Sequence, residues 1–506
     1  MKTKLYLFIL VLCSAQCLFA YDAEVDGIYY NRKTATEFEV TNNGTLCYSG
    51  DLVIPEKVNY KNREFTVAYV GDYAFASCTS LTSVTLPPTI TAIGNYAFQG
   101  CTALTSIKIP EAVTSIGNAS FYGCSTLTNI DISEGIKTIG DGAFGECTKI
   151  VSLKLPDSVE SIGKRAFQNC AALESLILPA VMNSPIGENT FAGCISMKNV
   201  TLPQGITLIG QAAFHWCSSL QSIVLPNSVK EIQESAFSYC ESLCSVQLSE
   251  ELTGIGKSAF ASCPIKEIVI PNHVQIIMEQ AFVNCTSLES IILSEELITI
   301  RGQAFQNCSS LKSVVIPDKA TSIEGNAFLD CSSLSKVVIG SGMEYISKDA
   351  FKNCPLNELY CAATTPPCTY ASNWIPFTED QFAWTDLYVP IGCKETYAQA
   401  SNHSRWNGSS TQWYYQGFWS RFISINEYDP TTKIQHLEMI NVKVTIDGLY
   451  LSITNAEDNE QVRIYSLDGR EIAAGCPQQG KITLLVPNHK LYIVRVGSQC
   501  MKVRVR

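Results

Sequence analysis

Histidine is scarce in this chain: five in 506 residues, at positions 215, 273, 403, 436 and 489. That scatter supplies no cluster for acid–base chemistry or metal ligation. Also missing are a glycine-rich phosphate loop, a nucleophile elbow and a His-Glu-x-x-His helix, so the usual signatures of phosphoryl transfer, esterase and zinc-protease chemistry are absent. Carboxylates are dispersed, although a glycosidase needs no local motif for its two acids. Charge is low as well, with 16% charged residues, 36 Lys and Arg against 47 Asp and Glu, and a formal net charge of −11. Without basic clusters to neutralise phosphates, a nucleic-acid partner is excluded. Low charge beside 46% hydrophobic residues also argues against a disordered chain. Beyond the first twenty residues no apolar run is long enough to span a bilayer. The sequence implies no catalytic residues, no metal site and no cofactor.

The first twenty residues, "MKTKLYLFILVLCSAQCLFA", place two lysines before an apolar run and small residues before Tyr21. This is the layout of a secretory signal peptide cut after Ala20, and it predicts an exported chain, on the cell surface or outer membrane or released. Loss of Lys2 and Lys4 with such a leader takes the charge from −11 to −13. Lipid attachment at Cys17 is an alternative, but Ser14-Ala15-Gln16 before it match a lipidation box poorly.

What is abundant is one phrase. The stretch "LTSVTLPPTITAIGNYAFQGC" is followed by "LTSIKIPEAVTSIGNASFYGC" and "LTNIDISEGIKTIGDGAFGEC". Its phenylalanine recurs at Phe75, Phe98, Phe121, Phe144, Phe167, Phe191, Phe214, Phe237, Phe260, Phe282, Phe305, Phe328 and Phe351. The step is 23 residues, with one of 24 into Phe191 and one of 22 into Phe282. A period in this range is the signature of a solenoid. Within a copy, Val84-Thr85-Leu86 alternates as a half-buried strand, Pro87 turns the corner, and "NYAF" fits a tight turn. The position of Gly94 is glycine in eight copies, which reads as a convenient left-handed backbone that is not obligatory. A coil of this size cannot order itself alone; stacking covers its two faces and pairs its strand in parallel. Thirteen coils at roughly 4.8 Å each predict a rod or arc about 60 Å long. The thirteen phenylalanines are its expected core.

Cysteine follows each phenylalanine by three positions, from Cys78 to Cys354. A staircase of disulfides is conceivable between adjacent coils. An odd count on one inward column instead favours small apolar side chains in reduced form. Cys361 with Cys368, and Cys476 with Cys500, are better disulfide candidates.

The pattern L-x-x-V-x-L-P-x-x-I-x-x-I-G-x-x-A-F-x-x-C resembles the leucine-rich repeats of the BspA-like class over about residues 52–362. "VDGIYYN" and "VTNNGTLCYSGDLVIPE" resemble that family's N-terminal β-rich cap, and "LYVP…KETYAQA" resembles the tail that closes such arrays. Members are mostly cell-surface or secreted proteins, so the resemblance implies adhesion or contact with host proteins. The segments "VKVTIDGLYLSIT", "QVRIYSLDGREI", "KITLLV" and "LYIVRVGSQCMKVRVR" alternate like strands, with a turn signal at Asp468-Gly469. They are similar to the C-terminal sorting domains of type IX secretion.

Binding positions follow from strand alternation. The outward strand residue is polar in most early copies (Thr85, Lys108, Asp131, Lys154) and apolar later, where Val269, Ile292, Val315, Val338 and Tyr360 form a candidate protein-binding stripe. β-propensity alone, or a C-terminal module folded over the stripe, also accounts for it. A second candidate lies in "NHSRWNGSSTQWYYQGFW", residues 402–419, where Trp406, Trp413, Tyr414 and Trp419 could stack on sugars or close the core. His215 and His273 occupy variable positions and read as solvent-facing.

The expected fold is therefore an α/β-type leucine-rich-repeat solenoid, mostly β coils with short turns and 3-10 segments, plus a C-terminal all-β sandwich. The expected division is a signal peptide 1–20, β-rich cap 21–58, solenoid 59–362, aromatic cap 363–430, linker 431–439 and sandwich 440–506. The expected function is non-catalytic binding of a host or microbial surface protein, with glycan binding through 402–419 or a structural spacer role as alternatives.

Overall fold

The structure, a computed structural model, describes residues 21–44, 47–369, 375–400, 415–430 and, towards the C-terminus, 443–447, 450–454, 461–466, 471–475, 478, 481–485, 491–496 and 499–504. The repeats form stacked coils. Two ladders of short parallel strands run along the stack. One begins at Arg63–Val70 and continues through Ala92–Ile93, Ser115–Ile116, Thr138–Ile139 and Ser161–Ile162. The other begins at Gly50–Val53 and continues through Leu81–Thr85, Ser106–Ile109 and Asn129–Ile132. Registers shift by one repeat per coil, so Ile116 pairs Ile139 and Ile130 pairs Ile107. Identical positions therefore lie over one another, and the β-branched residues that favour strands line the inner face.

The phenylalanines form one continuous column. Successive rings from Phe75 to Phe351 stack with centroids 4.7 to 5.7 Å apart, close to the interstrand spacing. All thirteen are fully buried. The 24-residue step has a visible cost: the first ladder ends at Ser161–Ile162, only isolated bridges bind Val181 to Gln204 and Ile186 to Ile209, and pairing resumes at Leu208–Ile209. The phenylalanine column is nonetheless unbroken there, at 5.7 Å and then 5.2 Å.

The arc carrying Ala-Phe contains no helix, which corrects the expected α/β character and the 3-10 segments. Isolated i to i+3 turns close it, as from the Ala76 N–H to the Tyr73 carbonyl and from the Cys78 N–H to the Phe75 carbonyl. Left-handed residues two before and two after each phenylalanine interrupt any helix, for example Tyr73 at φ 57° and Ser77 at φ 61°. None of the residues at these positions is β-branched, as that conformation demands.

Gly94 is not left-handed, against expectation. Its requirement is room: a Cβ there would sit 2.6 Å from both the amide nitrogen and the Oδ1 of Asp72. Asp72 belongs to a side-chain ladder. Its Oδ1 accepts from the Asn95 N–H at 2.6 Å, Asn95 Oδ1 from the Asn118 N–H, Asn118 Oδ1 from the Asp141 N–H, and Asp141 Oδ1 from the Lys164 N–H.

Both ends are closed by continuing these rows. Tyr48 tilts onto Phe75 at 5.0 Å, and Glu37–Thr41 pairs parallel to Arg63–Val70. At the far end Phe377 stacks on Phe351 at 5.6 Å, beneath Phe382, Trp419 and Phe422. Strands Asp386–Pro390 and Ser424–Tyr428 extend the sheet that starts at Ser313–Ile316. Further on, Lys443–Asp447, Tyr450–Thr454 and Lys481–Leu485 form one antiparallel sheet, and Glu471–Gly475, Val462–Ser466, Leu491–Val496 and Gln499–Arg504 another. Asp468-Gly469 lies outside the described residues, but the strands on either side of it pair as a hairpin.

Candidate binding surfaces

The cysteine column is a hydrogen-bonded ladder. Each thiol from Cys101 to Cys354 donates to the carbonyl oxygen of the preceding coil's phenylalanine: Cys101 to Phe75 at 3.0 Å, Cys240 to Phe214 at 3.1 Å, Cys354 to Phe328 at 3.1 Å. All thirteen are buried and free. Burial pushes the Cys147, Cys170 and Cys194 thiols far above their ordinary range and Cys217 up to about 12. The column is thus buried packing, with the thiols held protonated. Among the described residues no cluster of His, Cys, Asp and Glu could hold a metal ion.

Cys361 and Cys368 are not bridged, which corrects that candidate pair. Cys361 is buried and accepts from the Tyr397 hydroxyl at 3.3 Å, and its thiol is pushed up to about 11 by burial. The Cys368 thiol turns instead to the Glu344 carbonyl. Strand Glu358–Cys361 and the bridge of Cys368 to Tyr345 carry the two along different ladders. Cys476 and the Cys500 side chain lie outside the described residues.

On the strand face, the outward row runs as alternation requires, but its C-terminal end is covered. Thr85, Lys108, Asp131, Lys154, Ile177 and Val224 are exposed. Val269, Ile292 and Val315 are half-buried, whereas Val338 is 3% and Tyr360 6% exposed. Tyr388 stacks on Tyr360 at 4.4 Å, and Tyr428 meets it edge-on at 5.4 Å. Lys336 completes the cover, 5.0 Å above the Tyr360 ring and 2.9 Å from Glu358. The expectation of five open positions is corrected for these two: the closing strands put Tyr388 in register with this row, and Tyr428, two residues past the register position of Asn426, closes over it edge-on.

Trp419 is likewise corrected as a sugar-stacking candidate. It is fully buried, with its indole N–H donated to the Pro367 carbonyl at 2.7 Å, and it belongs to the closing core. Trp406, Trp413 and Tyr414 lie outside the described residues.

His215 is half-buried and His273 exposed, its Nδ1 3.0 Å from the Glu250 carbonyl. Burial lowers the His215 pKa. The structure also shows a feature that the repeat pattern did not reveal: His215 lies against the exposed rings of Trp216 and Tyr239. The available signal was two successive aromatic residues, Trp216 and Tyr239, in a column otherwise held by glycine and small or polar residues.

The BspA type leucine-rich repeat region family matches the chain over residues 57–174, 160–285 and 253–366, more than half its length. A leucine-rich repeat protein from Bacteroides ovatus is 28% identical with a TM-score of 0.54, covering 67% of this chain and 94% of that one. A leucine rich cell surface protein from Faecalibacterium prausnitzii is 26% identical over 62% of this chain and 93% of its own, with a TM-score of 0.45. The leucine-rich repeat protein of T. pallidum is 29% identical over 38% of this chain and 87% of its own, with a TM-score of 0.35. No match was found among curated proteins.

Proposed function

The chain belongs to the BspA-type leucine-rich repeat family, and on that premise we propose that it is an exported, non-catalytic binding protein whose solenoid contacts a host or microbial surface protein. The supporting observation is the outer strand row, which is open over the early coils from Thr85 to Val224. It passes into Val269, Ile292 and Val315, which are half-buried, with strand Gln499–Arg504 against Ser290–Ile292 and Val315 packed on the part closed by Tyr388 and Tyr428. A repeated surface of this type distributes contacts over many coils and needs no pocket. The leader at residues 1–20 is the proposed export signal. Residues 440–506 are proposed as a β-sandwich similar to type IX sorting domains, directing the chain to the cell surface.

The test displays extracellular-matrix proteins and bacterial surface proteins to the full chain and to the triple variant Val269→Glu, Ile292→Glu, Val315→Glu. Lys154→Glu, on the polar end of the same row, serves as control. The reading expects a protein ligand whose affinity falls at least about tenfold in the triple variant and much less in the control. A protein ligand bound equally by all three chains would remove the stripe from the account.

A further inference from the structure

We propose that His215, Trp216 and Tyr239 form a binding site for a neutral saccharide on the turn edge of the solenoid. The inference does not depend on the strand-face reading.

Two residues after each phenylalanine the backbone is left-handed in every coil, from Ser77 to Asn353. Eleven of these thirteen positions hold Gly, Asn, Asp, Ser or Glu. The two exceptions are adjacent: Trp216 at φ 60° and Tyr239 at φ 59°. A large aromatic side chain gains nothing from this backbone, and here it stays in water, Trp216 49% and Tyr239 43% exposed. Core packing therefore does not explain the pair.

Their geometry makes a platform. The rings lie 5.6 Å apart at 30°, and His215 stands edge-on to Tyr239 at 5.7 Å and 88°. In the preceding coil the same position is Gly193, which puts no side chain against the outer face of Trp216. Asn169, one coil further, leans over Gly193: a Cβ there would lie 2.1 Å from its Oδ1. Ser262 follows Tyr239, so that side is also low.

The polar groups are set for hydroxyls. His215 Nδ1 is 2.6 Å from Ser238 Oγ, and that hydroxyl donates its single proton to the Ser235 carbonyl at 2.9 Å. Nδ1 must therefore carry the proton it donates to Ser238, which leaves Nε2 an acceptor in the neutral ring. The exposed Trp216 and Tyr239 rings, with the imidazole acceptor of His215 beside them, match the C–H face and hydroxyls of a pyranose, and Asn169 over Gly193 borders the Trp216 side. Glu146, bonded to the Asn169 amide at 2.7 Å, disfavours an acidic sugar. An added peptide strand is disfavoured because the local amides are used between coils: Gly193 N–H to the His215 carbonyl, Trp216 N–H to that of Ser238, and Tyr239 N–H to that of Ala261.

The test is saturation-transfer NMR on the full chain with millimolar lactose, maltose, cellobiose and chitobiose as separate probes. Trp216→Asn and Tyr239→Asn are the variants, since asparagine already occupies this column at 169, 284, 307 and 353. Wild type is expected to saturate the ring protons of at least one disaccharide, and each variant to bind it at least about tenfold more weakly with an unchanged melting temperature. Transfer to none of the four sugars, or transfer equal in Trp216→Asn, overturns the proposal; the latter result places sugar binding elsewhere in the chain.

Discussion

The side-chain amide of Gln381 donates to the carbonyl oxygen of Phe351 at 2.8 Å, taking the place that a fourteenth cysteine would fill. It also donates to the Cys354 carbonyl at 2.7 Å, from a short helix, Glu379–Trp384, started by a capping box with Thr378. The closing segment thus reproduces both inner rows of the array, with Phe377 for the ring and Gln381 for the thiol.

Gln381→Leu removes that donor and leaves two buried carbonyls without it. The expected loss is about 2–4 kcal/mol, measured by urea denaturation, with protease cleavage appearing first in the last coils. Glu379→Gln on the same helix, whose carboxylate meets Arg421 at the surface, is expected to change stability by less than about 1 kcal/mol.

The thiol ladder predicts both a labelling pattern and a pH response. In the native protein an alkylating reagent should modify Cys47 and Cys244 and spare the thirteen ladder thiols until the chain is denatured, as read by peptide mapping. Burial raises the folded-state thiol pKa, while an unfolded cysteine titrates near about 8.5. The sign follows: stability is full below that value and falls as pH rises, because the unfolded chain then releases protons that the folded chain retains. The melting temperature should therefore hold from pH 6 to 8 and drop steadily above about pH 9.

Gly94→Ala should cost about 1–3 kcal/mol, since the added methyl meets the Asp72 backbone nitrogen and the Gly71 carbonyl carbon, which cannot swing aside, as well as the Asp72 Oδ1. Asp72→Ala should not rescue it. Recovery in the double variant would show that the side-chain ladder, not backbone proximity, sets the glycine.

Much of this architecture was legible in the residues. The spacing of Phe75 to Phe351 defined the coils, and the invariant offset of cysteine marked an inward column. Gly94 was misread because periodicity reports that a side chain is excluded and not whether φ or crowding excludes it. Val338 and Tyr360 looked open because alternation fixes which face a strand residue takes, whereas Tyr388 and Tyr428 arrive over that face from outside the repeat. The Trp216–Tyr239 pair escaped notice because it falls in the variable part of the phrase, where only the left-handed backbone makes an aromatic side chain unexpected. The expected Cys361–Cys368 bridge failed for a related reason: seven residues of separation say nothing about which ladder each joins.

Hydrogen exchange in Phe214→Ala tests most directly whether a coil is held by its neighbours. The substitution is expected to cost about 3–5 kcal/mol. Protection should fall in the coils of Phe191 and Phe237 as well as in that of Phe214, because the lost ring lies 5.2 Å from each neighbour. Loss of protection confined to the residues of the substituted repeat would mean that the units fold on their own, and would contradict the account.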